Sequence, residues 1–115
     1  MVATEHYPLS ELTTMRLGGK ARWVIEISNR EDLLEALDFA KQQNLPWFIL
    51  GDGSNVIAGG DYNGVIILNR ITGFEHIDED DSSVTYRIGA GEVWDHIVER
   101  LCALELSGVE AMSAI

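Results

Sequence analysis

Cysteine is all but missing from this chain. Cys102 is the single one in 115 residues, so neither an intrachain disulfide nor a thiolate metal cluster can form. That usage fits a reducing, cytoplasmic compartment. Positive charge is the second scarcity: 8 lysines and arginines face 19 aspartates and glutamates, a formal net charge of −11. Nucleic acid and anionic membrane surfaces are polyanions that such a protein repels, so neither is expected as a partner. No apolar run approaches the roughly 20 residues of a bilayer span. The first ten residues include Glu5, His6 and Pro8 and lack the cationic start and apolar stretch of a secretory leader. Repeats, low-complexity tracts and linkers are absent as well. What is present is a globular composition, 46% hydrophobic and 23% charged. A chain of this length buries roughly 65% of its unfolded surface, enough for a core without covalent staples.

The charge is unevenly spread. Residues 51–115 carry twelve acids and three bases, a net of −9. An anionic ligand held there needs a special arrangement.

Strand and helix patterns alternate. Arg22–Ser28 sets Trp23, Ile25 and Ile27 against Glu26 with the period of a strand. Ser28-Asn29-Arg30-Glu31 reads as a capping box opening a helix whose stripe is Leu33, Ala36, Leu37 and Ala40, with Leu34 beside it. Asn44 offers a left-handed stop and Pro46 forbids more helix. Trp47–Leu50 is an unbroken apolar run, the mark of a strand buried on both faces. This β–α–β order favours a parallel pair. Val65–Leu68 predicts a third strand, and Phe74–Ile77 with Val84–Ile88 a hairpin closed by the polar run Asp78–Ser83. A second helix is expected over about Glu92 to Glu105, with stripe Val93, Ile97, Leu101 and Leu104 and flanking Trp94, Val98 and Cys102, ended by Ser107-Gly108. Val109–Ile115 carries no stop signal, so the polypeptide is expected to continue.

The strongest chemical signal is Gly51-Asp52-Gly53-Ser54-Asn55, directly after a strand. Its glycines let a ligand approach the backbone, and successive N–H groups in such a turn form an anion-binding nest. Ser54 and Asn55 add side-chain donors, so a diphosphate can sit here despite the local charge. A plain tight turn reads the same residues equally well. Named phosphate motifs fail: a dinucleotide fingerprint needs glycine where Val56 stands, and Gly19-Lys20-Ala21 breaks the Walker pattern. Gly89-Ala90-Gly91 lies between strand and helix, where a ligand-facing turn competes with a plain connection. Asp78-x-Asp80-x-Ser82 opens like a calcium loop, but Ser83 and Gly89 stand where glycine and glutamate belong. His6, His76 and His96 lack metal-ligand spacing, His96 is expected to be solvated, and Cys102 is expected in the core. No catalytic group and no metal site stands out.

In order, Gly51–Val56, Gly64-Val65-Ile66-Ile67, Gly89-Ala90-Gly91, Trp94 and Gly108-Val109-Glu110 resemble the UDP-N-acetylenolpyruvoylglucosamine reductases, the MurB type. Thr14 and the Gly18-Gly19 pair resemble the opening motif of that family, although Thr13 and Met15 replace its usual Asn and Phe. The resemblance spans about residues 10 to 115 and implies an α+β flavin-binding fold of the vanillyl-alcohol-oxidase (PCMH) type. Residues 1–20 would form an N-terminal segment, 21–70 a β-α-β-β FAD-binding subdomain, and 71–115 the start of a second, antiparallel subdomain.

By the same resemblance, Gly51, Asp52, Gly53, Ser54, Asn55 and Val56 grip the FAD diphosphate largely through backbone N–H groups. Gly89, Ala90 and Gly91 lie near the flavin, and Ala114-Ile115 begins an Ile-Pro-Gly stretch that also touches FAD. No histidine occurs between Gly51 and Gly60, which implies non-covalent FAD. The family passes a hydride from NADPH through FAD to an enolpyruvyl ether on a UDP-sugar in peptidoglycan synthesis. Its serine, arginine and glutamate come from later segments, so the catalytic residues are expected outside this chain, which alone is expected to be inactive. Alternatives are a non-catalytic FAD- or ADP-type nucleotide-binding module, another oxidoreductase of the same flavin fold, or a domain whose glycine loops are only turns.

Overall fold

The computed structural model describes residues 1–12, 19–51 and 60–106. Strands β1 (Ala3–Pro8), β2 (Lys20–Ile27), β3 (Trp47–Leu50) and β4 (Tyr62–Asn69) form one sheet in the order β1-β2-β4-β3. β2, β4 and β3 run parallel and β1 pairs antiparallel with β2. Helix α1 (Arg30–Gln42) joins β2 to β3. A two-stranded sheet, β5 (Phe74–Glu79) and β6 (Val84–Ile88), and helix α2 (Trp94–Ala103) follow.

The β–α–β reading is right in direction and wrong in adjacency. β2 and β3 are parallel, but β4 lies between them and pairs with both. This overturns the burial on both faces expected of Trp47–Leu50. β4 is central, and Gly64–Leu68 is buried throughout. β3 is an edge strand, with Trp47 50%, Phe48 48% and Ile49 41% exposed, and only Leu50 enters the core. An edge strand has one neighbour and incomplete cover, so an apolar run alone does not make it buried.

Both faces of the sheet carry core. Ile25, Ile27, Val65 and Ile67 pack under Ala36 and Ala40 of α1. On the other face Val24, Ile66, Leu68 and Leu50 pack with Leu9 from a 3-10 turn after β1. The strand β1 gives little sign of itself in sequence, because Ala3–Pro8 is mostly exposed and lacks a clear apolar alternation.

Helix α1 starts one residue later than the capping box predicts. Asn29 is the cap, its side chain accepting from the Asp32 N–H at 2.8 Å, while the Asp32 carboxylate accepts from the Ser28 N–H at 3.2 Å. Asparagine caps as well as serine, and the shift lets Asp32 return a bond. Leu34 is 59% exposed and outside the packed stripe. At the far end Asn44 takes the expected left-handed conformation (φ 53°), and the Leu45 N–H closes on the Ala40 carbonyl at 3.0 Å.

Helix α2 is shorter at both ends than its pattern predicts. Its buried residues are Ile97, Val98 and Leu101, whereas Val93 and Leu104 are exposed flanking positions. The stop is Glu105 (φ 61°), and the Leu106 N–H bonds the Leu101 carbonyl at 3.0 Å, so the helix ends before Ser107-Gly108 is reached. His96 is exposed as expected. Cys102 is also exposed, contrary to its expected place in the core. It follows Leu101 by 100° of helix, enough to leave a narrow buried stripe.

The hairpin forms where expected. Phe74 and Tyr86 stack across it at 4.6 Å, and the Arg100 guanidinium of α2 lies 4.0 Å over the Phe74 ring. The turn is built on Asp80, whose Oδ1 accepts from the Ser82 and Ser83 N–H groups at 2.8 Å and from both hydroxyls. These bonds, led by the Ser82 and Ser83 amides, hold the Asp80 carboxyl below the ordinary aspartate range.

Ile67→Ala should cost about 2–5 kcal/mol and Ile49→Lys less than about 0.5 kcal/mol. Urea unfolding checks this; equal losses would mean that β3 is not an edge. A depressed carboxyl favours the folded turn above its unfolded pKa, and that contribution is lost as pH falls through the native value. The Ser82 and Ser83 amide shifts should therefore titrate with a midpoint below that of a free aspartate, which NMR reads directly. A midpoint at or above it would contradict the turn geometry.

Candidate functional site

The three parallel strands finish side by side, Ile27 opposite Asn69 and Leu50 opposite Leu68. Ligands of parallel α/β sheets gather at such carboxyl ends. Gly51 follows β3 there and Arg70 follows β4. Arg70 is held at several points. Its N–H donates to the Ile27 carbonyl at 2.8 Å. Its guanidinium Nη1 donates to the Gly51 carbonyl at 3.0 Å, and its Nε lies 3.8 Å from the Glu26 carboxylate. The next residues turn sharply, with the Ile71 N–H donating to the Asn69 side chain at 3.0 Å.

The second glycine turn docks on this same segment. The Gly91 N–H donates to the Ile71 carbonyl at 2.7 Å and the Gly89 N–H to the Gly73 carbonyl at 2.9 Å. Glu92 accepts from the Gly73 N–H at 3.0 Å. The structure therefore brings Gly51 and the Gly89–Gly91 turn onto Asn69–Gly73, a connection that belongs to neither glycine motif.

The glycines themselves divide into two kinds. A Cβ on Gly91 would overlap the Arg70 backbone, and one on Gly89 would overlap Ile71 and Thr72. Their identity is explained by backbone packing, and their N–H groups are already spent on protein carbonyls. Gly51 differs: a Cβ there meets nothing within 4 Å, and its φ is not in the left-handed region. Among the described residues no internal contact requires glycine at 51, and open space of that kind would admit a ligand against the backbone. Ala90, between the two packed glycines, is exposed. Asp52, Gly53, Ser54, Asn55, Val56 and Ile115 lie outside the described residues, as do Thr14 and Gly18.

Arg70 is the functional candidate that the sequence reading missed. Only three bases follow residue 50. Arg87 faces Glu75 at 3.5 Å and Arg100 lies over Phe74, so each is committed to the hairpin region. Arg70 alone of the three touches Gly51. The available signal was an arginine placed directly after a buried apolar run. Trp94, the first residue of α2, has a buried indole N–H with no partner among the described residues. Trp23 shares that condition, so the orphan donor does not by itself mark a ligand. Among the described residues no group of three histidine, cysteine or acidic side chains is placed to hold a metal. A shallow depression lined by His6, Lys20, Arg22 and Asp61 lies at the opposite, amino ends of β2 and β4. There Glu5 faces both His6 and Arg22 at 3.4 Å.

A fixed cation, a glycine with open space and a position at the ends of parallel strands suit a phosphate-bearing ligand. The class agrees: residues 21–113 match the model of the FAD binding domain family, and the chain belongs to that family. Its similarity to UDP-N-acetylenolpyruvoylglucosamine reductases bears out the resemblance read from the motifs. It is 38% identical over 108 residues to the reductase of Salinispora arenicola, covering 93% of this chain and 30% of that protein. To that of Escherichia coli K12 it is 33% identical, covering 96% and 32%. The crystal structure of the Thermus caldophilus reductase superposes with a TM-score of 0.65 at 24% identity, over 99% of this chain and 37% of that one. That likeness shows the α+β fold. The chain spans about a third of the length of the curated relatives it matches.

Gly91→Ala should destabilise by about 1–3 kcal/mol, because the backbone it strikes cannot move aside. Gly51→Ala should change stability by less than about 0.5 kcal/mol and weaken FAD binding. Thermal unfolding with and without FAD checks both; a large stability loss at Gly51 would remove the reason for placing ligand there.

Proposed function

We propose that this chain is the FAD-holding part of a UDP-N-acetylenolpyruvoylglucosamine reductase, with its diphosphate site starting at Gly51. The observation that carries the reading is Gly51 itself, a glycine at the carboxyl ends of the parallel strands, open among the described residues and tied to Arg70. Gly51, Asp52, Gly53, Ser54, Asn55 and Val56 would grip the diphosphate mainly by backbone N–H groups. Gly89, Ala90 and Gly91 would border the flavin, with Ala90 the exposed member, and Ile115 would approach it from the far end of the chain.

When bound, FAD supplies the hydride carrier between NADPH and the enolpyruvyl ether of a UDP-sugar. The chain's own share is to hold and orient. Among the described residues the groups with displaced pKa values are Asp80, in the hairpin turn, and Tyr62, raised by burial at the start of β4. Neither is at the Gly51 end of the sheet. By the likeness to the reductases, the proton donor for substrate reduction would belong to the two thirds of those proteins that this chain does not cover. Non-covalent attachment is supported by the missing histidine between Gly51 and Gly60, where some related flavoproteins place their covalent link. A division near residue 70 fits a first subsheet and a second, hairpin-based subdomain. No helix among the described residues is long and apolar enough to cross a membrane. A cytoplasmic site of action fits the single cysteine and the nucleotide substrates.

Calorimetry with FAD, ADP and the UDP-sugar tests the reading. FAD should bind at least about tenfold tighter than ADP, since the flavin ring adds a contact worth ~1.4 kcal/mol or more. Equal affinities would favour a general nucleotide-binding module. With NADPH and the enolpyruvyl substrate added, this chain alone should give no turnover; measurable reduction would overturn the placing of the proton donor elsewhere.

A further inference from the structure

We infer that Arg70 is a positioning residue for the diphosphate, fixing the foot of the Gly51 turn and supplying the positive charge that the turn lacks. The inference rests on the functional reading above and adds a residue to it. Arg70 is placed from three sides. Its N–H is bound to Ile27 of β2, its Nη1 holds the Gly51 carbonyl, and its backbone is the floor on which Gly91 sits. The side chain is 40% exposed, so one side still meets solvent. A guanidinium has five N–H donors in a planar fork. Among the described residues Arg70 directs two nitrogens at protein, one to Gly51 and one toward Glu26. The remaining donors suit a pair of oxygens on one anionic group, as a phosphate offers.

Glu26 tunes this charge. Its carboxylate lies 3.8 Å from the Arg70 Nε and is 64% exposed. It offsets part of the field that Arg70 presents, without entering the core. Lysine would keep the charge at position 70 but lose the fork, and so could not hold Gly51 and the phosphate together.

Binding of FAD, ADP and phosphate-free riboflavin to the wild type, Arg70→Gln, Arg70→Lys and Glu26→Gln decides the matter. Arg70→Gln should weaken FAD and ADP about tenfold to hundredfold, leave riboflavin within about twofold, and flatten the dependence of affinity on salt. Arg70→Lys should restore the salt dependence but only part of the affinity. Glu26→Gln should tighten FAD about twofold to threefold at low salt, and should do nothing in the Arg70→Gln background. If the wild type binds neither FAD nor ADP, the functional reading itself fails. If it binds FAD and Arg70→Gln leaves affinity and salt slope unchanged, the reading stands and the role of Arg70 falls. Equal losses for FAD and riboflavin would make Arg70 merely structural and overturn the inference. Should Arg70→Gln fail to fold, an unchanged FAD affinity in Glu26→Gln at low salt overturns it instead.

Discussion

A side chain on Gly91 would overlap the backbone of Arg70, and the carboxyl side of the sheet is arranged around that close approach. Asn69–Gly73 leaves the central strand and is bonded on one side to β2 and Gly51, on the other to the Gly89–Gly91 turn and Glu92. The Arg70, Ile71 and Gly73 N–H groups and the Ile71 and Gly73 carbonyls are all bonded to protein, which leaves such a short segment little room for adjustment. The sheet and the hairpin-helix unit are therefore registered to one another through a few peptide groups. Among the described residues the two apolar clusters of the sheet draw only Ile71 from beyond β4. A ligand gripped at Gly51, as proposed, would be held to the same segment that holds the second turn.

Much of this was legible in the residues, for identifiable reasons. β2, α1 and the hairpin carry clear periods, and Asn44 supplies its own stop. Strand order was not legible. Trp47-Phe48-Ile49-Leu50 and Val65-Ile66-Ile67-Leu68 are both four-residue apolar runs, yet one is an edge and the other the centre. The difference is set by which strand the crossover Gly51–Asp61 inserts between the others, a long-range fact that local composition does not encode. Cap choice failed for a finer reason. Ser28 and Asn29 are adjacent, equally good caps, and only the return bond from Asp32 separates them.

At the site, the glycine turns stood out but their roles did not. Two glycines within three residues read alike whether they admit a ligand or another stretch of backbone. Only the location of neighbouring atoms separates Gly91, which is packed against Arg70, from Gly51, which is open among the described residues. Arg70 escaped notice because no motif contains it and a lone arginine at a strand end has many ordinary uses. Its meaning comes from Gly51, nineteen residues away in sequence.

The charge of the chain then makes a sharper demand than it first did. With −9 over residues 51–115, the long-range field opposes a diphosphate, so the attraction must come from groups at contact. Two unit charges 4 Å apart attract by about 1 kcal/mol in water and about 4 kcal/mol at the effective dielectric near a protein surface. Charges beyond about 8–10 Å are largely screened in physiological salt. One arginine in contact therefore outweighs several acids dispersed along the hairpin and α2. Contact of that kind requires the cation to be fixed, since a free side chain gives up rotamer entropy on binding. Arg70 has already given up much of that freedom to the Gly51 carbonyl and to Glu26. A strongly acidic chain can thus hold a doubly charged group with backbone amides and one anchored guanidinium, and it needs no basic patch to do so.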